Sequence, residues 1–275
     1  MIKIIFLGDI IGRIGRRAVS QYLPKIRKQY KPDLVIANVE NLAHGIGFTR
    51  QTLAELKTAG VDFFTSGNHA WSKNGADEIL DDVGLPIIRP ANYSAKKSGF
   101  GYKQVDLSAR RKLAKKISQN KLMVVNLLGR VFISEEVTCP FKQLDKIINK
   151  HKKSLFIVDF HAEATSEKIA FGHYFDGRVT AILGTHTHVP TADQTILPQG
   201  TGYVTDVGMI GYYDSVIGAN KQRIIETFLN RAKGANKHDL PISGLCQFNA
   251  IYLEINAKTQ KTVKIKRLDK IININ

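Results

Sequence analysis

The sequence predicts an α/β fold built on a mainly parallel sheet, and three observations carry that expectation. Six apolar, β-branched segments lack the polar alternation of a strand with one wet face, helical patterns separate the early ones, and polar residues follow nearly every one. The strand-like segments are residues 2–7, 34–39, 61–65, 122–126, 155–160 and 179–183. Helical patterns run over residues 15–30, over 49–59 with Thr49 as the cap, and over 74–82. From residue 195 to 206 short extended pieces alternate with Pro198, Gly200 and Gly202; a helix follows over 221–233, and a closing hairpin over 248–255 and 262–268. A second sheet packed on the first would account for these late strands. No linker rich in Pro, Gly or Ser and no internal repeat breaks the 275 residues, so one domain over 1–275 is expected.

The strand ends hold the chemistry. Running off the six segments are Gly8-Asp9, Glu40-Asn41, Gly67-Asn68-His69, Asn126, His161 and Gly184-Thr185-His186-Thr187-His188. In open α/β sheets ligands bind in the crevice outside the carboxyl ends of the strands, so these residues should converge there. Asp9, Glu40, Asn68, His161, His186 and His188 offer hard oxygen and borderline nitrogen donors, a mixture suited to Mn, Fe or Zn rather than Ca. They are too many for one ion that must keep an open position. Two ions sharing a carboxylate, about 3.5–4 Å apart, would use them all. Glu40 is the expected bridge, because its strand should lie between those ending in Asp9 and Asn68. His186 and His188, two residues apart on an extended segment, should face the same way.

Two other readings fail on spacing. Gly8, Gly12 and Gly15 do not make GxGxxG, and Asp9 would set a negative charge where a pyrophosphate belongs. A metal-dependent amidohydrolase would carry its His-x-His pair on the first strand of an eightfold barrel, whereas here the pair comes late and the tail is β-rich.

Composition bounds the rest. The 40 Lys+Arg against 24 Asp+Glu give +16, which favours encounters with polyanions. The basic runs at 110–116 and 150–153 read first as solvated faces, with RNA binding through a basic surface as the second reading. Cys139 and Cys246 lack CxxC spacing and imply neither a disulfide framework nor a structural zinc site. The short apolar start is no signal peptide and no segment reaches the roughly 20 residues of a membrane span, so a cytoplasmic protein without a membrane partner is expected.

These ordered motifs resemble those of the calcineurin-like metallophosphoesterases, and more closely their YmdB-like branch. The resemblance rests on FLGDIIG at 6–12, NVENLA at 38–43, SGNHAW at 66–71, NLLGR at 126–130, DFHAEA at 159–164 and GTHTHVPTAD at 184–193, extended by DVGM at 206–209 and YDSVIG at 213–218. It implies a four-layer α/β/β/α sandwich, two packed sheets flanked by helices. It also implies hydrolysis of phosphodiesters, with 2′,3′-cyclic nucleotides as the associated substrates, and self-association into a homo-oligomer. By position, one ion would be held by Asp9, Glu40 and His188, the other by Glu40, Asn68, His161 and His186, with Fe or Mn favoured and Zn compatible. The mechanism that follows is in-line attack on phosphorus by a hydroxide held at the ions, with His69 as general acid and Arg130 as a phosphate clamp. Two departures stand out. Ile11 occupies the place of the superfamily's Asp-x-His histidine, which Asn41 would replace as ligand, and Ala70 follows Asn68-His69 where an acid is common. The rival class is a nucleic-acid-binding regulatory protein that uses the metals structurally; its support is the +16 charge, without a helix-turn-helix, RNP or zinc-finger pattern.

Overall fold

Strands that are apolar on both faces must be covered on both faces. The computed structural model, which describes residues 1–105, 115, 121–230 and 241–275, meets this with layers. In the first sheet β1 (Ile2–Leu7) runs parallel to β3 (Leu34–Asn38), and β3 parallel to β4 (Phe63–Thr65). On its other side β1 pairs antiparallel with β13 (Ala250–Ile255), which pairs with β14 (Thr262–Arg267). The second sheet is led by β6 (Lys121–Leu128), β7 (Ser154–His161), β8 (Ala181–Thr185) and β10 (Gly202–Val204), all parallel. Two short antiparallel strands, β5 (Tyr102–Gln104) and β9 (Thr195–Ile196), close its edges.

The two-residue period of a strand divides its side chains between two cores. Ile2, Ile4 and Phe6 of β1 join Leu34, Ile36 and Leu253 against Leu122, Val124, Leu155, Ile157 and Leu183 of the second sheet. Ile5, Leu7 and Val35 face the other way, onto α1 (Gly12–Tyr30) and α2 (Arg50–Ala59) through Ala18, Leu23, Leu53 and Leu56. The outer face of the second sheet, with Val125, Phe156, Val158 and Phe160, packs on α4 (Pro140–Lys150) and α5 (Thr165–Tyr174) through Leu144, Ile147 and Phe171. The order of layers is therefore helix, sheet, sheet, helix, as the resemblance implies.

A third sheet goes beyond that expectation. Short β2 (Asp9–Ile10), β11 (Met209–Tyr212), β12 (Gly244–Phe248) and β15 (Lys270–Ile274) form it in the order β15-β12-β11-β2. Its Ile10, Ile210, Cys246 and Phe248 extend the core under α1. The sequence hides it because strands of two to five residues are too short to show a period. The helical patterns are found as α1, α2 and α3 (Ala76–Asp81), with Thr49 capping α2: its hydroxyl accepts from Thr52 N and the Thr52 hydroxyl accepts from Thr49 N. The helix expected over 221–233 is α6 (Lys221–Asn230); residues 231–233 lie outside the described residues, as does the basic run 110–116 apart from Lys115. The second basic run is the solvated end of α4 and the turn after it. Among the described residues no helix is long and apolar enough to cross a membrane.

Parallel strands from both sheets bring their carboxyl ends to one rim, and buried polar side chains join the sheets there. Asp159 of β7 accepts from Asn38 Nδ2 of β3 at 3.0 Å and from the Thr65 hydroxyl of β4, while Asn126 Oδ1 of β6 accepts from Ser66 N at 3.3 Å. Phe6 is fully buried between the sheets, so Phe6→Ala should lower stability by about 3–5 kcal/mol in denaturant unfolding. A loss below about 1 kcal/mol would show that the sheets do not pack as described.

Candidate metal centre

Five strand ends deliver the polar residues to this rim. Asp9 begins β2, one residue, Gly8, beyond the end of β1, and Glu40 and Asn41 turn away after β3. Asn68 and His69 lie in the turn after β4, His161 ends β7, and His186 and His188 occupy the bend after β8. Two groups of ligand atoms result, Glu40 with His161 and His186, and Asp9 with Glu40 and His188, the atoms of each lying within 4.8 Å of one another. Glu40 belongs to both, and β3 does lie between β1 and β4.

Around His161 Nε2 stand His186 Nδ1 at 3.0 Å, Glu40 Oε1 at 3.2 Å and Asn68 Oδ1 at 3.2 Å. Atoms held about 2.1 Å from a common ion are separated by about 3.0–3.4 Å, so these four have the spacing of a coordination shell. In the second group His188 Nε2 is 3.9 Å from Asp9 Oδ1 and 3.0 Å from Asn41 Nδ2. A half-turn of the Asn41 amide places its oxygen in that position.

Electrostatics argue for a cation. Asp9 is fully buried and its Oδ1 has no hydrogen-bond partner, an expensive state for a carboxylate oxygen. Burial raises the Asp9 pKa, reinforced by the charges of Glu40 and Asp206 against the pull of His188 and His161. Burial pushes the same way at Glu40, but its contact with His161 and the nearby His69 and His186 prevail and hold that carboxyl well below the usual range. Burial opposes a charge on His161, yet Glu40, Asp9 and Asp159 push its pKa up to about 9. His186 is driven down to about 3 by burial and by the neighbouring His161. A proton on His161 is one cation that relieves the cluster, and a metal ion among the same donors would do so more completely; the N and O donor set fits Mn, Fe or Zn.

Further residues aim these donors. His161 Nδ1 meets the Thr185 hydroxyl at 2.8 Å, which donates to Asp159 Oδ1 at 2.6 Å, so Nε2 is left facing the cluster. His186 Nε2 lies 3.0 Å from Glu163 Oε2, and His188 Nδ1 donates to the Ile217 carbonyl at 2.8 Å. Buried Lys168 donates to Thr185 O at 2.8 Å and to Asp206 Oδ2 at 2.7 Å; Asp206 also accepts from Thr187 N and its hydroxyl, which fixes the bend between the two histidines. Sequence reasoning gives no role to Asp159, Glu163, Lys168 or Asp206. A buried Lys cannot be read from sequence, but the acids beside His161 in DFHAEA are visible there.

The bend itself corrects an expectation. His186 and His188 do not sit on an extended strand: β8 ends at Thr185, and their φ values are +99° and +65°. The rings serve different groups, and the positive φ at both residues is backbone strain at the bend that directs them. Asn126 stays beneath the cluster, holding Ser66. His69 lines the cleft over the cluster, of about 420 Å³, and its backbone N–H donates to Glu40 Oε2 at 3.2 Å, but its ring is in neither ligand group. Arg130 is exposed after β6, where its backbone N–H donates to Glu167, and it does not line that cleft.

Comparison with known proteins agrees with this architecture. A family model described as YmdB-like protein matches residues 5–268. The chain is 40% identical over 273 residues to a 2′,3′-cyclic-nucleotide 2′-phosphodiesterase of Bacillus subtilis, covering 97% of this chain and 96% of that protein. Among solved structures it is similar to a novel phosphatase from Mycoplasma pneumoniae, with TM-score 0.89, 37% identity, and 100% of this chain and 94% of that one covered. It is similar also to a hypothetical protein from Thermus thermophilus, with TM-score 0.86 and 37% identity over 100% of both chains.

Gly67 is where the cluster leaves no room for a side chain. A Cβ there would stand 2.2 Å from Glu40 Oε2 and 2.4 Å from His161 Nε2. Gly67→Ala should therefore keep its far-UV circular dichroism but lose most of its tightly held metal in elemental analysis. Unchanged metal content would show that these atoms do not bind an ion.

Proposed function

Because the chain belongs to the YmdB-like proteins, we propose that it is a two-metal phosphodiesterase whose substrates are 2′,3′-cyclic nucleotides or related RNA-derived diesters. It is a hydrolase acting on phosphoester bonds, and it works, as one domain over 1–275, in the cytoplasm. The observation that carries the two-metal reading is the fully buried Asp9 Oδ1, which accepts no hydrogen bond, beside two donor groups that share Glu40. The substrate class rests on the name of the Bacillus subtilis relative, and the +16 charge favours its approach.

Asp9, Glu40, His188 and the turned amide of Asn41 would hold one ion, and Glu40, Asn68, His161 and His186 the other; Fe and Mn suit these donors. Ions there supply Lewis-acid neutralisation of the phosphoryl oxygens and a water acidic enough to attack at neutral pH. The protein's own work is to orient. Thr185 and Asp159 hold His161, Glu163 holds His186, and the Ile217 carbonyl holds His188, each leaving the other ring nitrogen for the ion. His69, beside Asn68 and free of both groups, donates a proton to the ribose oxygen as its bond to phosphorus breaks, leaving a hydroxyl and a phosphomonoester.

Proton donation of this kind is typically worth 10²- to 10⁴-fold. His69→Ala should keep its metals and lose kcat by about that factor on nucleoside cyclic phosphates, with a smaller loss on diesters whose leaving group is already acidic. Loss of metal in this variant would make His69 a ligand instead. Chelation should abolish turnover, and Mn or Fe should restore it. Full activity in both Asn68→Ala and His186→Ala would end the two-metal proposal.

A further inference from the structure

The cleft above the cluster has two unlike sides. Glu40, His69, His186 and His188 form a polar floor, and Ile217, Ile224 and Phe228 form an apolar wall. Its volume of about 420 Å³ is within the roughly 300–1,000 Å³ of small-molecule sites. A bare phosphodiester needs only the floor.

The wall is built at a cost in stability, which argues that something covers it. Ile224 and Phe228 are four residues apart on α6, hence on one face. No residue of α6 is buried, and Phe228 is 79% exposed although it lines the cleft. Ile217 is a β-branched residue at φ +47°, in the left-handed region such residues avoid, and it is 52% exposed. Its carbonyl holds His188, so the same strained residue ties the wall to the floor. An apolar group entering the cleft with its phosphate on the floor would lie against this wall.

We propose that Ile217, Ile224 and Phe228 form a nucleobase platform, with the Phe228 ring stacking on the base, so that the cleft selects diesters carrying a base over base-free ones. This rests on the phosphodiesterase reading above. Stacking on an aromatic side chain tolerates any base, because every base has a π face, whereas a flexible aliphatic chain gives less. The platform therefore predicts preference for nucleosides over simple esters with little choice among the four bases.

The test compares adenosine 2′,3′-cyclic phosphate with the base-free methyl riboside 2,3-cyclic phosphate on metal-loaded protein. The wild type should prefer the nucleoside. Phe228→Ala should cut that preference about ten-fold, through KM with kcat held, and Phe228→Tyr should retain it. Phe228 is exposed, so these changes should not disturb folding. An unchanged preference, or an equal loss on both esters, would overturn the platform; a change of oligomeric state with the preference intact would overturn it in favour of an interface between copies. Calorimetric binding of adenosine 3′-phosphate against methyl riboside 3-phosphate separates this proposal from the one beneath it. If neither ester is turned over but the base still tightens binding in the wild type and not in Phe228→Ala, the platform stands and the phosphodiesterase reading falls. If the base adds nothing to binding, the platform falls.

Discussion

Two buried carboxylates held against one another are the constraint on which the rest of this structure depends. Asp9 and Glu40 stand at the rim of the first sheet with almost no exposure, and one oxygen of Asp9 accepts no hydrogen bond. Taking a charge out of water costs several kcal/mol unless an opposite charge meets it. Three histidines crowd the pair, yet positive charge on one opposes positive charge on the next: the carboxylates raise the pKa of His161, and burial together with His161 lowers that of His186. Divalent ions would satisfy both carboxylates and spare the histidines from sharing protons.

The layers exist in a form that makes this crowding possible. Parallel strands in both sheets end at the same rim, so side chains far apart in sequence meet without long loops. Asp159 reaches from the second sheet to Asn38 and Thr65 of the first, and through Thr185 to His161, so one buried carboxylate both joins the sheets and aims a donor. Burial lifts its own pKa to about 7, offset in part by His161 and by those hydrogen bonds. Across the bend after β8, Lys168 and Asp206 supply the fixed frame within which His186 and His188 can hold positive φ. Such local strain persists only where the surroundings determine it.

Much of this is legible from residues alone. Continuous apolar runs locate β1, β3, β6, β7 and β8 because both faces are buried, and the polar residues behind them name the donors. The place of Glu40 in both donor groups follows from strand order. What stays hidden has a physical cause in each case. Strands β2, β11, β12 and β15 are too short for a period, and α5 buries only Lys168, Phe171 and Gly172, so it shows no apolar stripe. By contrast α4 carries Phe141, Leu144, Ile147 and Ile148 at helical spacing, a signal present in the sequence but absent from the helices expected of it. The His-Thr-His geometry departs from expectation because i and i+2 alternation holds only inside a strand, and this motif begins where β8 stops.

The most direct test of a paired metal site at Glu40 is anomalous diffraction from crystals of the protein grown with Mn or Fe. Two peaks are expected on either side of the Glu40 carboxylate, about 3.5–4 Å apart, one among Asn68, His161 and His186 and the other beside Asp9 and His188. A fully metallated preparation with no peak at Glu40, or with one ion bound elsewhere, would contradict it.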